Sequence, residues 1–290
     1  MAYLFLPSAV LCSALLSIMA SLFNKRNSAY QGFSMLYNFI LIGSACGGWC
    51  IIYLTNLSFD AGVLPYSLAY AIGYAMALIC LFKALECGPV SLTALLKSIS
   101  LVLPSVWGFF FWDDPLTLPV ILGFVLVLVS LILFFAKKRE KGQAEIPLKW
   151  FLYILGLLIG NGGSLTIQKY QQIAFEGAHK NMLMFFATAV AALVCLVFAL
   201  IDRKKNTLTR KALARSFYLP AAAGLGSTLF NLLLMITLPL LPSSVIYPAI
   251  AVGSVIVTTL FSALVCKERL RTLQWLGLLV GCVALALLNL

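Results

Sequence analysis

Acidic residues are scarce in this chain: nine Asp and Glu stand against twenty Lys and Arg in 290 residues, with a single histidine, His179. None of the nine lies deep in an apolar run; Asp60, Glu86, Asp113, Asp114, Glu140, Glu145, Glu176, Asp202 and Glu268 all fall at run ends or between runs. Catalysis inside a membrane needs paired carboxylates, a Ser/His pair or a metal set, and the runs contain none of these. There is no CxxC and no His/Cys cluster. Of eight cysteines, Cys12, Cys46, Cys50, Cys80, Cys195 and Cys282 lie inside apolar runs, with Cys87 and Cys266 near run ends. They read as small packing residues rather than metal ligands or disulfides. No Walker A pattern is present, which argues against direct ATP coupling. The expectation is a protein that is not an enzyme and needs neither cofactor nor metal.

What the chain has in excess is apolar length. It is 62% hydrophobic and 10% charged, with mean hydropathy +1.04. Soluble domains are nearer a quarter charged. Ten apolar runs stand out, at about 2–23, 32–54, 62–82, 88–112, 117–136, 150–167, 182–201, 217–238, 243–265 and 272–290. Each is long enough to cross a bilayer as a helix, which satisfies its own backbone in lipid. The first run lacks a basic leader and continues into Asn24-Lys25-Arg26, so it reads as a retained helix.

The net charge of +11 does not imply nucleic acid, because the basic residues sit in short connections. Loops after odd-numbered runs hold seventeen Lys and Arg; loops after even-numbered runs hold only Lys169 and Lys180. The positive-inside rule then puts the basic loops in the cytoplasm and both termini outside, in a multi-pass protein of the plasma (inner) membrane.

The halves repeat. Asp113-Asp114-Pro115-Leu116-Thr117 with Leu122-Gly123-Phe124 aligns with Lys267-Glu268-Arg269-Leu270-Arg271 with Leu276-Gly277-Leu278 at a constant offset of 154. Asn24-Lys25 likewise resembles Gln168-Lys169. The expected fold is all-α: ten transmembrane helices as two five-helix repeats, 1–136 and 150–290, joined by a basic loop, 137–149. Five is odd, so the second copy runs inverted. Inverted repeats around a midplane site are the architecture of secondary transporters.

Residues 260–288, LFSALVCKERLRTLQWLGLLVGCVALALL, resemble the closing helices of the EamA-type domain of the drug/metabolite transporter superfamily. The matching elements are a small and apolar run followed by Glu268, Leu270, Gly277 and Gly281. The first half matches more loosely, with Asp114 where Glu is expected and Val127 in place of the second glycine. The resemblance implies a ten-helix transporter whose central cavity is lined mainly by helices one, three, four, six, eight and nine. It does not imply a substrate.

The leading candidate residue is Lys97. Counted from Gly88 it lies ~9 residues in, or ~14 Å, about half of a ~30 Å hydrocarbon core. A lysine stem reaches only ~6 Å, roughly four residues' rise; the alternative of a lysine that snorkels to the interface asks for more reach than that. Its expected role is to attract a carboxylate, a phosphate or another anion, or to change protonation during a cycle. Tyr66, Tyr70 and Tyr74 recur at i, i+4 and i+8 on helix three and share one face. Such a stripe packs or lines a cavity, with one or two hydroxyls needing partners inside. Tyr247, Asn231 beside Ser227, and Asn161 are further mid-run polar groups assigned to substrate binding. Gly160–Ser164 reads as tight packing or as a local break in helix six. Lys25 and Lys169, flanked by Asn24 and Gln168, are either interfacial anchors or paired gates. Gly43, Gly47, Gly48, Gly277 and Gly281 read as packing faces.

The expected function is alternating-access transport of a small polar metabolite, an amino acid or another small organic anion or zwitterion, in a lipid bilayer. A coupling ion is compatible with this design, as is a monomer or a homodimer. The alternatives are a neutral sugar or nucleoside carrier of the same fold and a non-transporting membrane receptor or assembly factor.

Overall fold

The computed structural model describes residues 2–30, 32–87, 90–135, 147–204, 206–264 and 272–288. Regular structure among them is helical: α1 (Ala2–Arg26), α2 (Ser34–Thr55), α3 (Leu64–Cys87), α4 (Val90–Ser100), α5 (Leu103–Phe111), α6 (Leu118–Phe135), α7 (Leu148–Ala174), α8 (Lys180–Ile201), α9 (Arg210–Ser216), α10 (Tyr218–Thr237), α11 (Ser243–Leu264) and α12 (Thr272–Leu287). Short 3-10 turns precede α3 and follow α8, at Ala61–Val63 and Asp202–Lys204. Eight helical stretches are long and apolar enough to cross a membrane, and two further apolar helices, Leu118–Phe134 and Thr272–Leu287, are shorter. The basic residues of 137–141 and the motif residues Lys267, Glu268, Arg269, Leu270 and Arg271 lie outside the described residues.

One expected helix is two. The run 88–112 was expected to cross as one unbroken helix; Thr93–Phe111 is still one candidate span, but α4 ends at Ser100 and α5 begins at Leu103. Pro104 lies at the start of α5 and has no N–H to return to the Ser100 carbonyl. The chain tightens there instead: the Leu101 N–H bonds Ser98 O at 3.2 Å and the Val102 N–H bonds Ile99 O at 2.9 Å. By contrast α7 runs unbroken through Gly160–Ser164. Glycines keep their amide donors, so the ladder continues, and the local break weighed for that stretch is not there.

Contacts divide the helices into two compact units, each drawn from separate parts of the chain: Tyr3–Ala75 with Ile167–Pro239, and Met76–Thr166 with Leu240–Leu290.

In the first unit α2 packs against α8 and α10. Trp49, Tyr70, Met182, Leu183 and Met184 form its main core, and Tyr53 stacks on Phe185 with centroids 5.5 Å apart. The α2–α10 approach is very close. A Cβ at Gly224 would overlap the Leu41 carbonyl oxygen, and one at Gly48 would lie 2.7 Å from Thr228 Oγ1. That threonine donates to Ala45 O at 3.1 Å. Of the three glycines read as a packing face in α2, only Gly48 packs; at Gly43 and Gly47 nothing lies within 4 Å of where a Cβ would be.

In the second unit α6 packs along α12. A Cβ at Gly123 would meet Leu288 Cγ at 2.9 Å and Ala284 O at 3.3 Å. A Cβ at Gly277 would meet Phe134 N and Ser130 O, each at 3.2 Å. Gly277, Ala284 and Leu288 stand 154 residues beyond Gly123, Ser130 and Phe134. The contacts are therefore reciprocal and antiparallel, the signature of a local two-fold axis between this helix pair. Ser130 Oγ closes the seam by donating to Gly277 O at 2.8 Å.

Asp114, the loose counterpart of Glu268, is buried in the same unit, and its Oδ2 accepts the Ser244 N–H at 3.1 Å. It thereby caps the first turn of α11 from outside that helix, where amides have no helical partner and a negative charge is favoured. Replacing it by alanine should cost ~1 kcal/mol. A fall in the melting temperature of the detergent-solubilised protein measures this; an unchanged value would mean that the cap adds nothing.

Candidate functional site

The break between α4 and α5 changes the meaning of Lys97. It is no longer mid-helix but lies in the last turn of α4. Carbonyl ends of a helix carry partial negative charge, and a cation there is stabilised. That makes a lysine tolerable inside the apolar stretch Thr93–Phe111. Its side chain is exposed, and its ammonium makes no hydrogen bond to a described residue. Around it the break is polar. Ser100 Oγ donates to Lys97 O at 2.6 Å and accepts from Asn161 Nδ2 at 2.7 Å. Asn161 O in turn accepts from Ser164 Oγ at 2.9 Å.

Gly162 makes this possible. A Cβ there would sit 2.8 Å from Leu103 Cδ1 and 3.2 Å from Ser100 O. The glycine lets α7 approach the break closely enough for Asn161 to reach Ser100. Tyr247, on α11, is buried and donates to Leu165 O at 3.1 Å, on the turn of α7 after Asn161. Lys97, Asn161 and Tyr247 thus belong to the second unit, with Lys97 and Asn161 joined through one serine.

The remaining candidates belong to the first unit. Tyr66 meets Phe175 edge to face with centroids 6.0 Å apart, and Tyr70 and Tyr74 lie 5.9 Å apart. Tyr70 is buried and Tyr74 half-buried. None of the three hydroxyls bonds a described residue, so the partners expected for one or two of them are not found among those residues. Asn231 and Gln168, assigned to binding and to a gate respectively, are in contact: Gln168 Nε2 donates to Asn231 Oδ1 at 3.4 Å. Asn231 Nδ2 donates to Ser227 O at 2.9 Å.

The matched lysines differ. Lys169 is buried, whereas Asn24 and Lys25 are exposed at the end of α1. Next to them, Arg26 Nη1 donates to Tyr218 Oη at 2.9 Å, and buried Asn27 bonds Ser216 Oγ at 3.2 Å. These tie α1 to α9 and α10, and charge counting gave no hint of Asn27. Reading the sequence also passed over Gln171 and Gln172, both buried. The run Gln168-Lys169-Tyr170-Gln171-Gln172, four polar residues in five at the end of an apolar helix, was the signal. Among the described residues seven cysteines are free thiols; Cys12 and Cys195 are buried, whereas Cys282, read as a packing residue, is exposed.

Residues 148–290 match the EamA-like transporter family. That half of the chain is an EamA-like transporter domain. It contains α7 through α12, and hence Asn161, Gln168, Lys169, Asn231 and Tyr247. Together with its apolar helices, this makes the chain a multi-pass membrane protein of the drug/metabolite transporter kind. The chain is 23% identical over 287 residues to an uncharacterized protein of Haemophilus influenzae, covering 96% of this chain and 94% of that protein. A solved crystal structure shares the fold over 99% of this chain and 95% of its own, with TM-score 0.75 and 14% identity.

Proposed function

We propose that this EamA-type protein is a secondary transporter that moves a small polar metabolite bearing a negative group, an amino acid or another small organic anion or zwitterion, by alternating access. The observation that carries the reading is Lys97: a lysine in an apolar stretch, held at the end of a broken helix, with no hydrogen bond to a described residue. Facing lipid, such a charge costs at least about 2.5–3.5 kcal/mol, so it is retained where it meets water or a counter-charge. With no Asp or Glu deep in any apolar run, that counter-charge comes from the solute.

The reciprocal α6–α12 seam supports two five-span repeats of opposite orientation, an arrangement that many alternating-access transporters use. The lopsided basic loops support cytoplasmic loops after the odd spans, with both termini outside, in the plasma or inner membrane. Purified protein in liposomes should accumulate labelled small carboxylates or amino acids, with competition by other anionic or zwitterionic metabolites and none by neutral sugars or nucleosides. Competition by neutral sugars alone would turn the reading to a sugar carrier. Saturable binding without accumulation would make the protein a receptor.

A further inference from the structure

We propose that Gln168 and Gln172 form a subsite that accepts hydrogen bonds from the ammonium group of the transported solute. This rests on the reading of the protein as a carrier of small polar metabolites and narrows it, within the first unit, to zwitterions.

The argument starts from two amide relays on the last turns of α7. In the first, Asn231 Nδ2 donates to the Ser227 backbone carbonyl at 2.9 Å. A carbonyl only accepts, so this bond fixes which end of the Asn231 amide is nitrogen. Asn231 Oδ1 then faces Gln168, which must present Nε2, and does so at 3.4 Å. In the second relay, Gln171 Nε2 donates to the Ala178 backbone carbonyl at 2.9 Å. That fixes Gln171, whose Oε1 accepts from Gln172 Nε2. Neither terminal glutamine can be turned over without setting oxygen against oxygen.

Each relay therefore ends in an oxygen. Gln168 Oε1 and Gln172 Oε1 are both buried without a hydrogen-bond partner. Gln168 is 0% exposed and Gln172 2%. Buried unpaired acceptors are rare in folded proteins, and two on one helix call for a reason. They stand at i and i+4, so they share a face, with Cβ atoms ~5–6 Å apart. An ammonium group, with three N–H donors and no acceptor, is the solute group suited to donate to both oxygens. An anion would face two lone-pair-bearing oxygens and be repelled.

The charged groups close by set the rest of the solute. Lys169 is buried on the same turns, three residues before Gln172, and has a partner of its own. Glu176 and His179 follow on the α7–α8 connection, and Lys180 opens α8. A solute bringing only positive charge is disfavoured beside Lys169. One that carries a carboxylate together with its ammonium is not.

The test compares each proteinogenic amino acid with the carboxylic acid of the same skeleton lacking the 2-amino group. Thermal shift of the purified full chain is read first, then uptake into liposomes for the pairs that shift. At least one amino acid should stabilise the protein and be taken up, its deaminated counterpart needing at least about tenfold more for the same effect. The double substitution Gln168→Met, Gln172→Met should bring that ratio close to one. A merely structural role would weaken both members of a pair alike and leave the ratio unchanged, so a ratio that survives the substitution overturns the subsite. Equal action of both members on the unsubstituted protein also overturns it, as two oxygens satisfied by internal water only would give, while carboxylate transport through Lys97 still stands. No uptake of either member removes the carrier reading itself.

Discussion

Lys97→Met is expected to reduce uptake of an anionic or zwitterionic solute into liposomes by about 10–100-fold, the worth of one hydrogen-bonded charge interaction. Methionine keeps the unbranched stem and its packing and removes only the charge. The folded protein should not suffer. An ammonium in an apolar stretch is a burden on stability, relieved here in part by the carbonyl end of α4, so the variant should melt at the same temperature or higher. The pairing of lost flux with retained or raised melting temperature separates a functional lysine from a structural one. Lys97→Arg should recover part of the activity, since it restores the charge but replaces a compact ammonium by a planar fork. Uptake within about twofold of the original for Lys97→Met would remove Lys97 from the site.

Gly224→Ala is expected to be among the most damaging single changes to the fold. The new Cβ would overlap the Leu41 carbonyl oxygen and lie 2.7 Å from Ser44 Cβ and 3.0 Å from Ala45 N. Two of these three neighbours are backbone, so no rotamer change gives relief and α10 must move away from α2. Overpacking of this kind typically costs ~1–3 kcal/mol or more. The same substitution at Gly43, where no atom lies within 4 Å, should be neutral or stabilise by up to ~1 kcal/mol through helix propensity. Melting temperatures of the two variants should move in opposite directions or differ by several degrees. Equal values would show that α2 and α10 do not meet as closely as Gly224 implies.

Much of the architecture was legible because apolar run length is set by bilayer thickness, and that signal survives without any knowledge of packing. The 154-residue offset was legible for a related reason. Gly123 and Gly277 each face backbone of the partner helix, so a small residue is needed at both positions. The break after Ser100 was half legible: Pro104 was visible, but whether a proline kinks a helix or ends it depends on what packs against the freed carbonyl. Here Gly162 lets α7 close on it. The glycine run in α7 was read as either packing or a break, and close approach is what Gly162 provides.

The polar residues were harder. Asn231 and Gln168 are 63 positions apart and stand on different helices. Nothing in local spacing joins them; only tertiary packing does. Gln172 needed the orientation of its neighbour to show that an oxygen was left over. The sequence likeness of Asn24-Lys25 to Gln168-Lys169 was real, yet one pair is exposed and the other buried, because a short dipeptide match carries no information about what covers it.

The α6–α12 seam has a consequence for how such a protein can change. Each of the two helices presents to the other the surface that it also receives, so the positions near Ser130 and Gly277 are answerable to two sets of neighbours at once. A larger residue accepted in one helix presses on backbone that the other supplies, and relief has to arise across the seam. Two stretches of one chain, 154 residues apart, are thereby held to a common shape where they meet.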